Sequence, residues 1–204
     1  MRTNWIVDTF KYMFGGGGWT TIVFDLLFLA GIGIAVWVYR RSPGQRTLLN
    51  VWTWLARMVI GAMWWQQVIW KAPPDFSGLH FWTEQMVQFS STDLQRSFVQ
   101  NVILAHFSFF APQVFLVEVV ISVALLLGFW SRFGSILGAA MALNLSQGLY
   151  RSPAEWPWQY VFLIIVMVQF SLVPPGRSLG LDVLLAERDK RGAGPLPRLL
   201  RWFC

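Results

Sequence analysis

This chain is poor in the residues that carry most soluble chemistry. Of 204 residues a single one is cysteine, Cys204, at the C-terminal end. One thiol excludes an internal disulfide, a CxxC redox pair, a haem-attaching CxxCH and a thiolate cluster. Cys204 also lacks the CaaX context of prenylation. Charge is sparse too: 13% of residues, against about 25% in an ordinary soluble domain. Histidine occurs twice, as His80 and His106. A histidine pair can ligate a haem or move a proton, but these two are not spaced as ligands on one helix, and metal sites need more ligands than this. No metal site is expected, and both read as exposed or interfacial. The N-terminal stretch has no short apolar core followed by a small-residue cleavage site, so no cleaved signal peptide is expected.

What is abundant is apolar surface. Hydrophobic residues make up 55% of the chain and the mean hydropathy is +0.50. Several apolar runs reach the roughly 20 residues that cross a bilayer as a helix. They do not alternate, which argues against a β-barrel. The expected fold is therefore all-α and polytopic, in a bacterial or archaeal cytoplasmic membrane. The net charge of +6 falls at helix ends and in the tail, which fits anionic lipid headgroups and topology signals rather than nucleic acid. The 13 tryptophans and 17 phenylalanines read mainly as interfacial belts and lipid-facing packing, with pigment contact as the alternative.

The central run is residues 51–71, VWTWLARMVIGAMWWQQVIWK. It is long enough to span, yet Arg57 sits well inside it, and a guanidinium in hydrocarbon must find a carboxylate, a carbonyl or water. Trp52 and Trp54 lie near one end, Trp65 and Trp70 near the other, as interface anchors do; Trp64 is expected to face a neighbouring helix. Four further spans are expected at 19–39, 113–130, 133–150 and 156–173. Pro112 would open the third span at a first-turn position that proline tolerates. Before the first span, 1–18 reads as an interfacial segment ending in a glycine break. Between the second and third lie two helical patterns, near 79–90 and 93–110, with Ser91 or Thr92 as a helix cap. The portion 98–110 is too short to cross and reads as interfacial or re-entrant. Along the fourth span Gly134, Gly138, Ala142 and Ser146 recur every four residues, a stripe that admits a close neighbouring backbone or a cofactor lying along the groove. The division expected is 1–18 interfacial, 19–50 first span and basic loop, 51–185 a four-helix membrane domain, and 186–204 a basic tail whose Leu199, Leu200, Trp202 and Phe203 lie on the membrane surface.

Five spans put the termini on opposite sides. Ten basic residues fall on the C-terminal side (Arg40, Arg41, Arg46, Arg132, Arg177, Arg188, Lys190, Arg191, Arg198, Arg201) and five on the other (Arg2, Lys11, Lys71, Arg96, Arg151). The C-terminus is therefore expected in the cytoplasm and the N-terminus outside. At about 1.5 Å of rise per residue, Asp25, Glu118, Asn144 and Gln147 fall roughly 5 to 10 Å below the outer surface, with Gln66 and Gln67 at similar depth. Lys71 can reach down to pair with Asp25 or Glu118. This layer reads either as interhelical hydrogen-bond glue or as a pocket for a quinone headgroup or polar substrate.

From Arg57 onward the chain resembles the DoxX/DoxD-like family of small membrane proteins. The resemblance is carried by Arg57, Gly61 and Lys71 on one helix, by Glu118 followed by LLLGFWSR at 125–132, and by GRSLGLD at 176–182. It covers roughly 51–185, which makes the first span an addition to a four-helix core. The family includes the membrane subunit of thiosulfate:quinone oxidoreductase. The resemblance thus implies a quinone-linked setting, with Glu118, Lys71 and Arg57 in catalytic roles and Gln66, Gln67, Asn144 and Asp25 around the cofactor. It further implies a small sulfur anion meeting Lys71, Arg96 and Arg151 at the outer face. No sequence motif encodes the quinone itself. The competing class is a non-catalytic subunit of a respiratory or photosynthetic complex that contacts lipids and other membrane subunits. A transporter is disfavoured by the lack of an internal repeat and of paired Gly/Pro-broken helices.

Overall fold

The computed structural model describes residues 4–14, 18–74, 76–190 and 202–203, and these contain helices and turns but no strand. In chain order they are α1 (Trp5–Phe14), α2 (Trp19–Arg41), α3 (Leu48–Ile69), α4 (Ser77–Phe89), α5 (Asp93–Phe98), a π-helical turn (Val99–Leu104), α6 (Phe107–Leu127), α7 (Ser131–Gly148), α8 (Pro157–Leu172) and α9 (Leu181–Lys190). Local chemistry explains the ends. The Thr47 hydroxyl caps α3 by accepting from the Asn50 N–H at 3.2 Å, and Thr92 caps α5 from Gln95 N–H at the same distance. Gly128 ends α6 with φ +63°, the left-handed conformation a helix C-terminus favours and glycine adopts without a Cβ penalty. Pro157 opens α8, and the helix stops short of Pro174 and Pro175.

The long helices pack in a chain of neighbours: α2 on α3 and α6, α3 on α6, α6 on α7, α7 on α8. Helix α3 divides the core. Its Trp65 joins Phe24, Met58, Ala62, Val68 and Leu126 on the α2 side, and donates its indole N–H to Thr20 O at 3.1 Å. Trp64, one residue back, joins Ile121, Leu125, Met167 and Phe170 on the other. The small-residue stripe of α7 serves this packing. Gly134 is buried against Ala124 of α6, and Gly138 against Met167 of α8 and Ile121 of α6, so those positions hold helices together and present no open groove.

Helices α2 and α6 are each long and apolar enough to cross a membrane. Helix α3 has 22 residues and α7 has 18, but Arg57, Gln66 and Gln67 in one and Asn144 and Gln147 in the other dilute their apolar character. Helix α8 is apolar over 16 residues.

Three boundaries depart from the sequence reading. Helix α6 begins at Phe107, so Pro112 lies inside it and the apolar portion 98–110 is shared between the π turn and α6. Glu118 consequently sits about 16 Å from the helix start by rise. The segment after 180 forms α9, whose first turn carries the buried Asp182. Of the terminal segments, 1–3, 15–17, 191–201 and 204 lie outside the described residues, and with them most of the glycine break and of the tail. Trp202 and Phe203 pack back on the start of α7: Phe203 stacks edge-on to Phe133 at 5.2 Å, and Arg132 donates to Trp202 O at 2.9 Å.

Candidate functional site

Two buried polar centres lie along α3. Arg57 lies on α3 and Lys71 two residues past its end, 14 residues on and about 20 Å away by helical rise, and each meets α6, Arg57 at Leu126 O and Lys71 at Glu118.

At one end, Lys71 Nζ forms an ion pair with Glu118 Oε1, and both side chains are buried. The pair lines a partly open cavity of about 790 Å³ bounded by α3, α4, α5, the π turn, α6, α7 and α8. That size falls within the range of small-molecule sites, roughly 300 to 1,000 Å³. Its walls are mostly aromatic and aliphatic, including Trp64, Trp70, Trp82, Phe98, Met86 and Leu163. Its polar points are Lys71, Glu118, Gln66, Gln67, Asn144, Thr83, Glu155, Gln159 and Tyr160. Lys71 Nζ also lies 4.6 Å from the Trp70 ring centroid, a cation–π contact that helps hold the ammonium. Two buried polar atoms of this wall have no hydrogen-bond partner among the described residues: Glu118 Oε2 and Trp64 Nε1. A buried unsatisfied group costs on the order of 1 to 3 kcal/mol, more when charged, so an open acceptor and an open donor on cavity-lining residues are groups that a bound partner or water would satisfy.

Five of the residues singled out from sequence thus meet at one cavity: Lys71, Glu118, Gln66, Gln67 and Asn144. Two do not. Arg57 belongs to the other centre. Asp25 is exposed on the outer face of α2, because the buried stripe of that helix runs through Thr20, Phe24, Gly31, Ala35 and Val38; the expected pairing of Lys71 is therefore with Glu118. Gln147, expected in the same layer, is also exposed. The outer cations do not gather with Lys71. Arg96 bonds Asp93 at 3.0 Å and Val87 O at 3.1 Å, and Arg151 bonds Ser91 O at 3.0 Å. Lys71 itself is buried, so it does not sit at the outer surface where an anion would first arrive.

Sequence reasoning missed Glu155, Gln159 and Tyr160. Gln159 Nε2 donates to Glu155 Oε2, and the Tyr160 hydroxyl donates to the same oxygen at 3.1 Å. The signal was present in the spacing: Gln159 and Tyr160, in the first turn of α8, follow Glu155 by four and five residues. The histidines stand apart from the cavity. His80 lies 3.6 Å from Glu84, and His106 contacts Val102 O at 3.0 Å. Among the described residues no group of three or more His, Cys, Asp or Glu could hold a metal.

Near the middle of α3, Arg57 is fully buried and donates to the carbonyls of Leu125 and Leu126, the latter at 3.1 Å. These are C-terminal carbonyls of α6, where the helix dipole favours a cation. Gly128 leaves the necessary room: a Cβ there would lie 2.9 Å from Arg57 Cζ and 2.8 Å from Gly180 Cα. Asp182 closes the centre. It accepts from Trp130 N–H at 2.7 Å, Ser131 N–H at 3.0 Å and the Ser131 hydroxyl at 2.7 Å, while Gly128 O accepts from Asp182 N–H at 2.8 Å. Burial pushes the Asp182 carboxyl above its ordinary range, and the Ser131 and Trp130 donors together with the Arg57 charge pull it back. Trp130 is held at φ +50°, a left-handed strain of about 1 kcal/mol or more for a non-glycine residue, which the Asp182 bond offsets. Two contacts thus tie α3 and its end to α6: Lys71 with Glu118, and Arg57 with the Leu125 and Leu126 carbonyls, near the Asp182 charge.

The chain matches no family model, no curated protein and no solved structure.

Proposed function

We propose that this is an integral membrane protein crossing the bilayer with α2, α3, α6, α7 and α8, and that its cavity binds a quinone as part of a DoxX/DoxD-like electron-transfer subunit. The observation that carries the reading is the cavity wall itself: a buried Lys71–Glu118 pair and the unpartnered Trp64 N–H and Glu118 Oε2, set among aromatic side chains. The donor set fits the ligand chemistry. A carbonyl oxygen of a quinone ring accepts from an indole N–H or an ammonium, and a hydroxyl of the reduced form donates to a carboxylate oxygen, so both states find partners at the same wall. The flat ring and its isoprenoid tail suit the apolar remainder. When bound, the quinone would supply the redox chemistry. The protein's part is to orient the headgroup, exclude water and offer Glu118 as a carboxylate acceptor, which its Lys71 neighbour keeps in place.

The electron donor expected from the resemblance is a small sulfur anion at the outer face. The test is titration of the purified protein with a short-chain quinone, followed by tryptophan fluorescence, and by quinone reduction with thiosulfate as donor. Saturable quenching is expected. It should weaken several-fold for the quinone in Trp64→Phe, a neutral hydrogen bond being worth about 0.5 to 1.5 kcal/mol. For the reduced form in Glu118→Gln it should weaken at least about tenfold, a hydrogen bond to a charged group being worth roughly 1.5 to 3 kcal/mol. Equal affinity in wild type and both variants would remove this wall from the binding site. Binding without thiosulfate-driven reduction would keep the site and discard that donor.

A further inference from the structure

Helix α2 is apolar all round but packed on one side only. In its most apolar stretch 22% of residues are buried. On the opposite side Ile22, Leu26 and Leu29 are each 63% exposed, and a Cβ placed on the exposed Gly33 would meet nothing within 4 Å. Asp25 stands in the middle of this face, exposed, with no ion-pair partner among the described residues. It lies six residues beyond Trp19, about 9 Å along the helix. Lysine and arginine can reach an interface over that distance on their long stems; aspartate, with a single methylene, cannot. The other charges well inside long helices, Arg57, Lys71 and Glu118, are all buried with partners. Asp25 breaks that pattern, and carboxylates inside membrane segments turn to protein or to water rather than to lipid.

We infer that the outer face of α2 is a docking surface for a membrane-crossing helix of a different protein, one that carries a lysine or arginine level with Asp25. The inference rests on the reading of α2 as a membrane-crossing helix. Charge complementarity names the partner's chemistry and argues against a second copy of this chain. A two-fold contact through this face would bring two Asp25 carboxylates together, which is unfavourable. Among the described residues a second copy offers no exposed cation at that level of a long helix: Arg57 and Lys71 are buried, and Arg40 and Arg41 lie at the far end of α2. Lys11, exposed on α1, is the cation that a head-to-tail copy would bring, and the experiment separates that case.

In native membranes, the full chain carrying Leu29→p-benzoylphenylalanine is irradiated and the cross-linked peptides are sequenced. The expected adduct is an apolar peptide of spanning length, from another protein, containing a lysine or arginine. Its yield should fall at least about tenfold, the equivalent of roughly 1.4 kcal/mol, when Asp25→Leu is added, and persist with Asp25→Glu. The thermal midpoint of Asp25→Leu in detergent should match wild type, since the side chain is exposed and has no ion-pair partner among the described residues. Adducts confined to lipid or to peptides of this same chain, an adduct peptide without a cation, or a yield indifferent to Asp25→Leu would each overturn the surface. Release of the wild-type chain by alkaline carbonate washing would overturn the membrane reading beneath it, a failure distinct from the others.

Discussion

Removing one partner of the Lys71–Glu118 pair should be far more damaging than removing both. In Glu118→Leu the Lys71 ammonium is stranded in a buried site with only the Trp70 ring beside it. The most this can cost at neutral pH is the free energy of giving up its proton, about 5 kcal/mol for an ordinary lysine near pH 10.4. In Lys71→Met the stranded group is Glu118, whose neutralisation from about pH 4.3 costs at most roughly 4 kcal/mol. These ceilings agree with the roughly 3 to 5 kcal/mol found on breaking buried pairs, whereas replacing a whole pair by apolar residues is often neutral. The assay is a double-mutant cycle of thermal or denaturant unfolding in detergent, read by intrinsic tryptophan fluorescence. Each single variant should lose several kcal/mol, Glu118→Leu the more, while Lys71→Met/Glu118→Leu recovers most of the loss. Single variants within about 1 kcal/mol of wild type, or an additive double variant, would refute the reasoning, because additivity is what independent sites give.

Three further outcomes follow from the packing. Gly31→Ala should destabilise, since its Cβ would meet Leu126 O at 2.5 Å, whereas Gly33→Ala, two residues on and facing open space, should be neutral or stabilising by about 0.5 to 1 kcal/mol in detergent. Gly128→Ala should cost roughly 1 to 3 kcal/mol in the same unfolding assay, for its positive φ, and more for the collision with Gly180 and Arg57. Ser131→Ala removes a hydrogen bond to Asp182 and strands the Gly176 N–H, which donates to the Ser131 hydroxyl at 2.9 Å. A loss of about 2 to 3 kcal/mol is expected, with wild-type quinone affinity retained because Ser131 and Asp182 are not among the residues lining the cavity.

The parts legible in the sequence were those where a rare residue type had little choice. A lysine in apolar surroundings must find a carboxylate or water, so Lys71 could be matched to Asp25 or Glu118 without coordinates, and the packing selects Glu118. Arg57 needed a carbonyl or a carboxylate, and has two carbonyls with Asp182 exerting its charge nearby. Proline and glycine fixed the ends of α6 and α8. The orientation of Asp25 was illegible because α2 is apolar all round, so periodicity says nothing about which side meets α3. The early start of α6 was hidden by Pro112, which looks like a helix opening yet is tolerated a turn and a half inside. The local cluster of Glu155 with Gln159 and Tyr160 was visible in its spacing, but that the three line the cavity depends on how α8 packs, a long-range event with no local pattern. The contrast between Trp64 and Trp65, adjacent in sequence and on opposite sides of α3, likewise needed the packing of α2 and α6 to resolve.

The most direct test is an experimental map of the protein extracted in its own lipids, read at the cavity between α3, α4, α6 and α8. A flat headgroup should lie within about 3.2 Å of Trp64 Nε1, Lys71 Nζ or Glu118 Oε2, its tail leaving along Phe98 and Leu163. A cavity holding acyl chains alone, or closed by side chains with Trp64 and Glu118 satisfied from within the protein, would contradict the account.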